Sequence, residues 1–413
     1  MPMDATRRHF LQGAAALPAI ASRAPDRAAL DNLPLLSRHE LGLEPDLVYL
    51  NTASAGPTPK RILARAIEAW QRLETEPVYM GYSRDPGSVV AAADRVRGKA
   101  AALIGCTADE ILLTRGTTDG ITTLANSIQL REGDRVLLTD QEHEGGEVAW
   151  QHRQWRDGIV VDRVSIPVGD YDTGAIVARF AAAITPRTRV ICLSHVLSPT
   201  GLRMPVAEIA AIARSRGILC IVDGAQAVGS IAVNVRTLGC DAYATSGHKW
   251  LMGPKGTGFV FISQAAATEI QPPQWFIDRA FGSNSAGLGP IPLVIGLGQV
   301  IDDIMLIGMA RIEAHNLALR DLCYAALANI SALRLVSPPP GALATPLVAA
   351  ALPSNIDSRL MRIRMHDRHR VVIKMAEKRW FNGIRFSPHL FNGSPDIDRA
   401  MTALRAELRD WSA

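Results

Sequence analysis

A lysine held in a glycine-closed loop between two short apolar runs constrains this chain more than any other stretch. Residues 241–245 (DAYAT) and 256–262 (GTGFVFI) read as strands, because aromatic and β-branched residues bounded by glycine and proline suit a pleated segment. Between them Ser246, Gly247, His248 and Lys249 make a tight loop closed by Gly253, Pro254 and Gly256. Just upstream, the apolar run 218–222 ends in Asp223, and Gln226 lies three residues on. A lysine amine can form a Schiff base with an aldehyde cofactor, and a carboxylate can keep a pyridine nitrogen protonated so that the ring withdraws electrons. The pair points to pyridoxal phosphate chemistry.

The string VDGAQAVG, followed about twenty residues later by TSGHKWLMGPKGTGFVFI, resembles the class V aminotransferases, the group that includes cysteine desulfurases, kynureninases and isopenicillin N epimerase-like proteins. The resemblance runs from Leu47 to the C-terminus. It implies an α/β chain with the PLP-dependent transferase (aspartate aminotransferase-like) fold: a large domain on a mainly parallel sheet, and a smaller C-terminal α+β domain. The expected division is 22–60 as an N-terminal segment, 61–310 as the large cofactor-binding domain and 311–413 as the small domain.

A chain of 413 residues can bury the cores that such a division needs. Its 44 Lys and Arg against 40 Asp and Glu leave a formal charge of +4, slight and scattered, which argues against a nucleic-acid partner. The five cysteines, Cys106, Cys192, Cys220, Cys240 and Cys323, form no CxxC pair and no metal-ligand spacing, so they read as core thiols. Residues 4–24 read as a targeting segment: Arg7-Arg8 before Phe10-Leu11 matches the twin-arginine pattern, and an Ala-rich run ends at Ala19-Ile20-Ala21. The expected signal peptide is 1–21, the mature chain begins near Ser22, and the location is periplasmic. No other run approaches the roughly 18 apolar residues of a membrane span.

Along the chain, strands alternate with helices, which makes a parallel sheet with its ligand site at the carboxyl ends of the strands. Strand 111–114 leads through Arg115-Gly116-Thr117-Thr118 into a helical pattern over 121–128. A helix start with two hydroxyls is an anion site, because first-turn amides point outward and the helix dipole favours negative charge there. The strand 135–139 ends in Asp140-Gln141-Glu142-His143, and the strand 190–193 in Ser194-His195. From Pro292 to about Ile330 the pattern is one long or bent helical stretch, followed by strands near 346–351 and 371–374 and a last helix over 394–411.

The resemblance assigns roles to these positions. Lys249 carries the cofactor and Asp223 its ring nitrogen, with Gln226 on the phenolic oxygen. Thr117, Thr118, Ser246 and His248 hold the phosphate, and His143 stacks on the ring. Ser194 and His195 lie near the ring, His195 being equally readable as a structural histidine. Asn51, in the loop Asn51-Thr52-Ala53-Ser54, faces substrate, and Arg385 in GIRFSPHLFN grips a substrate carboxylate. Ser283 stands where relatives use a threonine to reach the phosphate of the neighbouring subunit, which implies a homodimer. The implied enzyme takes a small amine or amino-acid-like substrate, with transamination, epimerisation and elimination all open. A cysteine desulfurase or lyase, or a non-catalytic cofactor-binding protein, are the alternatives; no cysteine lies between Ile330 and Arg385, where a desulfurase carries its thiol. Replacing both Arg7 and Arg8 with Lys should trap the precursor in the cytoplasm, as fractionation would read. Normal export of that variant would remove the twin-arginine reading.

Overall fold

The computed structural model describes residues 35–83, 85–272 and 289–412. The first strand, β1 (Val48–Tyr49), pairs in parallel with a two-residue strand far along the chain, Val371–Val372. A seven-stranded sheet follows: β2 (Ile111–Thr114), β3 (Arg135–Thr139), β4 (Val160–Val164), β5 (Thr188–Ser194), β6 (Leu219–Asp223), β7 (Ala242–Ser246) and β8 (Gly258–Ile262). Their spatial order is β2-β8-β7-β6-β5-β3-β4. All neighbours run parallel except at β8, which is antiparallel to both β2 and β7. Six strands therefore end at the same edge, and only β8 starts there.

These strands are apolar almost throughout because both faces are covered. Alternate residues enter opposite cores: Leu113, Leu193, Val222 and Tyr243 pack on one side, while Leu112, Cys192, Ile221 and Ala244 pack on the other. A slip of one residue would exchange the two sets, so the register is firmly specified.

The second sheet has the order β12-β13-β10-β9, built from β9 (Arg334–Leu335), β10 (Val348–Ala351), β12 (Lys374–Met375) and β13 (Gly383–Phe386), with β11 (Val371–Val372) left to pair with β1. Its core joins Val48 and Leu50 to Cys323, Val348, Ile384, Phe386 and Leu404, so the segment around β1 is fastened into the C-terminal layer.

The expected long or bent helical stretch from Pro292 takes the bent form: two helices, Ile291–Ile307 and Met309–Ala328, meet at 81° at Gly308, whose φ of 88° favours glycine. No single described helix is long and apolar enough to cross a membrane. The expected strand 371–374 is divided between two sheets, and β7 extends one residue further than expected, through Ser246. The helix expected from 121 begins at Thr117, because Gly116 supplies the bend at its start. Gly116 is itself overlaid by Gly258 of β8: a Cβ on Gly258 would stand 2.7 Å from Gly116 Cα and 2.9 Å from its N. Gly258→Ala should therefore lower stability by about 1–3 kcal/mol through overpacking, read from the denaturant midpoint. An unchanged midpoint would mean that the sheet edge yields there.

Candidate active site

The strand ends surround a cavity of about 290 Å³. From the sheet come Thr117, Thr118, His143, Asp223, Gln226, Ser246, His248 and Lys249; from the loop after β1 come Ala53 and Ser54; from the second sheet come Lys374, Met375 and Arg385. The expected residues Ser194 and Asn51 do not line it. Ser194 Oγ lies 2.5 Å from the buried Glu142 Oε2, and Asn51 Oδ1 accepts at 2.8 Å from the Oγ of Ser54, which does line the cavity. His195 is turned into the core, its Nδ1 2.9 Å from Tyr243 Oη. Ser283 lies outside the described residues.

The lysine loop is fixed from several directions. Gly247 N donates to Thr257 O (2.8 Å), Gly253 N to Gly247 O (2.7 Å) and Gly56 N to His248 O (2.7 Å). Lys255 Nζ reaches Gly56 O at 2.8 Å, tying the loop after β1 to the same unit. A Cβ on Gly56 would collide with Lys249 O, so only glycine lets the two loops approach. Burial lowers the Lys249 amine to about 8, against the pull of Asp223. Asp223 is 6% exposed. Burial raises its carboxyl, Lys249 and the Ala225 N–H opposing, and Oδ1 accepts that N–H at 2.9 Å.

His143 caps the helix Glu144–Asp157, with Nδ1 accepting from Gly145 N at 3.0 Å. Burial and the Lys249 charge lower its imidazole to about 4, so a neutral flat ring faces the cavity. The glycines that follow keep the space before it open. A Cβ on Gly145 would collide with Thr118 Oγ1, and one on Gly146 would stand 3.2 Å from Asp223 Oδ2. Gln226 is held by both ends, Nε2 donating to Ala53 O (3.0 Å) and Oε1 accepting from Trp250 Nε1 (2.8 Å), which leaves one N–H.

At the other end, Ser246 Oγ accepts from Thr117 N and meets Thr117 Oγ1, each at 2.8 Å, at a helix start whose own N-cap residue, Gly116, makes no side-chain bond to it. That start adjoins a second hollow lined by Arg115, Gly116, Asp119 and Thr122. Arg385, 5% exposed, donates through one terminal nitrogen to Ser198 O and Oγ (2.8 Å each), reaches Ser54 Oγ at 3.3 Å with the other, and has no partner at Nε.

An aldehyde cofactor bearing a pyridine ring and a phosphate fits this set. There is an amine, a carboxylate oxygen kept clear by Gly146, a flat neutral ring and an anion-binding helix start. Fold and site together define a pyridoxal phosphate-dependent enzyme of fold type I. The chain belongs to the aminotransferase class-V family, whose model matches residues 48–399, and pyridoxal phosphate is its cofactor.

The chain is 30% identical over 390 residues to isopenicillin N epimerase of Streptomyces clavuligerus, covering 90% of this chain and 97% of the relative. It is 30% identical over 321 residues to a probable cysteine desulfurase of Methanothermobacter thermautotrophicus, covering 73% and 78%. Among solved structures, a C-DES mutant with glycine covalently linked to its pyridoxal phosphate has a TM-score of 0.80 at 22% identity, covering 89% of this chain and 99% of that one. The apo cysteine desulfurase of Thermococcus onnurineus NA1 also gives 0.80, at 21%, covering 92% and 98%.

Sequence reasoning passed over Glu142, although it adjoins His143 in the same string. Glu142 is buried, accepting from Thr139 Oγ1 (2.7 Å) and Ser194 N (3.2 Å). Burial pushes its carboxyl up to about 7, with the Asp223 charge adding and the Ser194 and Thr139 bonds opposing. Between about pH 4.5 and 7 the unfolded chain has released this proton while the folded chain keeps it. Stability therefore falls as pH rises through that window. A glutamine keeps the carbonyl acceptor and one donor toward Ser194, adds one N–H, and cannot ionise. Glu142→Gln should flatten the fall by up to about 3 kcal/mol, measured by chemical denaturation at pH 5 and 7.5. Equal slopes would show Glu142 ionised throughout.

Proposed function

We propose that this enzyme moves the Cα proton of an amino-acid or peptide-like amine outside the cytoplasm, with Lys249 as the base and Arg385 as the carboxylate anchor. The observation that carries this reading is the opening of three groups into one cavity: the desolvated Lys249 amine, the Asp223 carboxylate and the Arg385 guanidinium. Pyridoxal phosphate, when bound, supplies an electron-withdrawing ring that stabilises negative charge at the substrate's Cα.

The chain's own residues do the rest. Lys249 Nζ anchors the cofactor covalently and, once released, exchanges a proton with Cα. An amine lowered to about 8 keeps a larger neutral fraction at neutral pH than an ordinary lysine, and so accepts that proton more readily. Asp223 Oδ2 holds the ring nitrogen in a desolvated site, where a charge-assisted hydrogen bond is stronger. Gln226 bonds the phenolic oxygen through its remaining N–H, and His143 covers the ring face. Thr117, Thr118, Ser246 and His248 hold the phosphate at the helix start. Arg385 presents its Nε edge to a carboxylate, fixing Cα beside Lys249.

The reaction that follows proton removal is epimerisation or transamination in preference to desulfuration. All five cysteines are described and none lines the cavity; Cys323 is fully buried in the helix Met309–Ala328, its thiol raised by burial to about 12. The similarity to isopenicillin N epimerase across nearly the whole of both chains supports the same branch. The Arg7-Arg8 segment supports export, and the resemblance of the sequence around Ser283 supports a homodimer.

Holoenzyme incubated with a panel of amino acids in D2O should incorporate deuterium at Cα, followed by mass spectrometry. Lys249→Ala should slow that exchange by about 10²–10⁴-fold with far-ultraviolet circular dichroism unchanged. Exchange at the parent rate in that variant would overturn the assignment of Lys249.

A further inference from the structure

The cavity carries more positive charge than one carboxylate anchor requires. Lys374 of β12 and Arg385 of β13 are direct partners in the antiparallel register, so both side chains leave the same face of the sheet, and both line the cavity. Like charges placed opposite one another destabilise a strand pair. Nothing among the described residues neutralises Lys374 by contact. Glu377, the acid that acts on it, has its carboxylate on Arg379 Nε at 2.9 Å, and Arg362 of the helix Ser358–His369 adds a further positive charge nearby. Lys374 lines the same cavity as Lys249 and His143, and its positive charge adds to the lowering of both.

The two cations differ in depth. Arg385 is buried and held by Ser198 and Ser54, with its Nε edge free for one carboxylate. Lys374 lies on the edge strand, is only half-buried, and is followed by Met375, Ala376, Glu377 and Trp380, which wall the cavity beyond it. The Glu377 carboxylate is engaged by Arg379, whose charge offsets it, and Arg379 and Trp380 are fixed by bonds to Glu142 O and Asp140 O, each at 3.0 Å. With Glu377 paired in this way, two cations separated by Met375, Ala376 and Trp380 match a substrate with two acids joined by a methylene spacer.

We propose that Lys374 is a second anion site and that the substrate is an acidic amino compound, its α-carboxylate on Arg385 and a distal carboxylate on Lys374. This specificity rests on the proton-transfer reading above, yet it can be tested without any reaction. Succinate, glutarate and adipate should bind the holoenzyme at least about tenfold more tightly than butyrate, pentanoate and hexanoate, a ratio read from ligand-dependent thermal shifts. Lys374→Ala should erase that preference while changing monocarboxylate affinity by less than about twofold, and Lys374→Arg should keep it. In the exchange assay, 2-aminoadipate should outcompete norleucine with the parent protein and with Lys374→Arg, and should lose that advantage with Lys374→Ala. Equal affinity of mono- and dicarboxylates for the parent protein would overturn the proposal, as would an equal loss of both in Lys374→Ala, which would mean that Lys374 and Arg385 share one carboxylate. A dicarboxylate preference without Cα exchange would remove the reaction reading and retain this one.

Discussion

Everything in this molecule is arranged so that one amine and one carboxylate can face the same small space without closing on each other. Left in a dry interior, opposite charges form an ion pair that consumes both groups. Here Lys249 belongs to a loop tied at Gly247, Gly253 and Gly56, and Asp223 is held by the Ala225 N–H at a strand end. Rigidity on both sides keeps the cavity open between them. Burial moves the amine down and the carboxyl up, which brings both closer to the range where protons are exchanged at neutral pH.

The reversed strand β8 is what makes the lysine loop possible. An antiparallel return pairs Ser246 with Gly258, so the residues between them close on themselves as a loop, Gly247 N bonding to Thr257 O and Gly253 N to Gly247 O. That return also places Gly258 over Gly116, so the same strand that closes the lysine loop shapes the start of the helix Thr117–Ser127. The lysine loop and the helix start at Thr117 are two consequences of one strand reversal.

Buried charge elsewhere in the site follows the same economy of contacts. Glu142 supports Ser194 beside Asp223, and its carboxyl, pushed up to about 7, holds its proton below neutral pH, which lessens the repulsion between two carboxylates. Arg379 and Trp380, from the turn before β13, reach across to the loop after β3. The cavity is thus lined by residues of both sheets, tied together at this edge.

The sequence by itself determined the local units: the lysine loop, the Asp223 strand, the helix start at Thr117 and Thr118, the order of strands and helices, and the arginine of GIRFSPHLFN. Each is a short pattern whose hydrophobic period or turn chemistry can be read without knowing its neighbours. Only the tertiary structure decided which neighbours converge. Ser194 and Asn51 occupy the expected strand end and loop, but Glu142 and Ser54 take up their hydroxyl and amide groups. The glycines at 145 and 146 gain their meaning from Thr118 and Asp223, which lie across the sheet. The break at Gly308 and the division of 371–375 between two sheets depend on what those segments pack against, which the period of a short run does not specify. The apposition of Lys374 and Arg385 is likewise a matter of register, set by pairing between strands and invisible in either one alone.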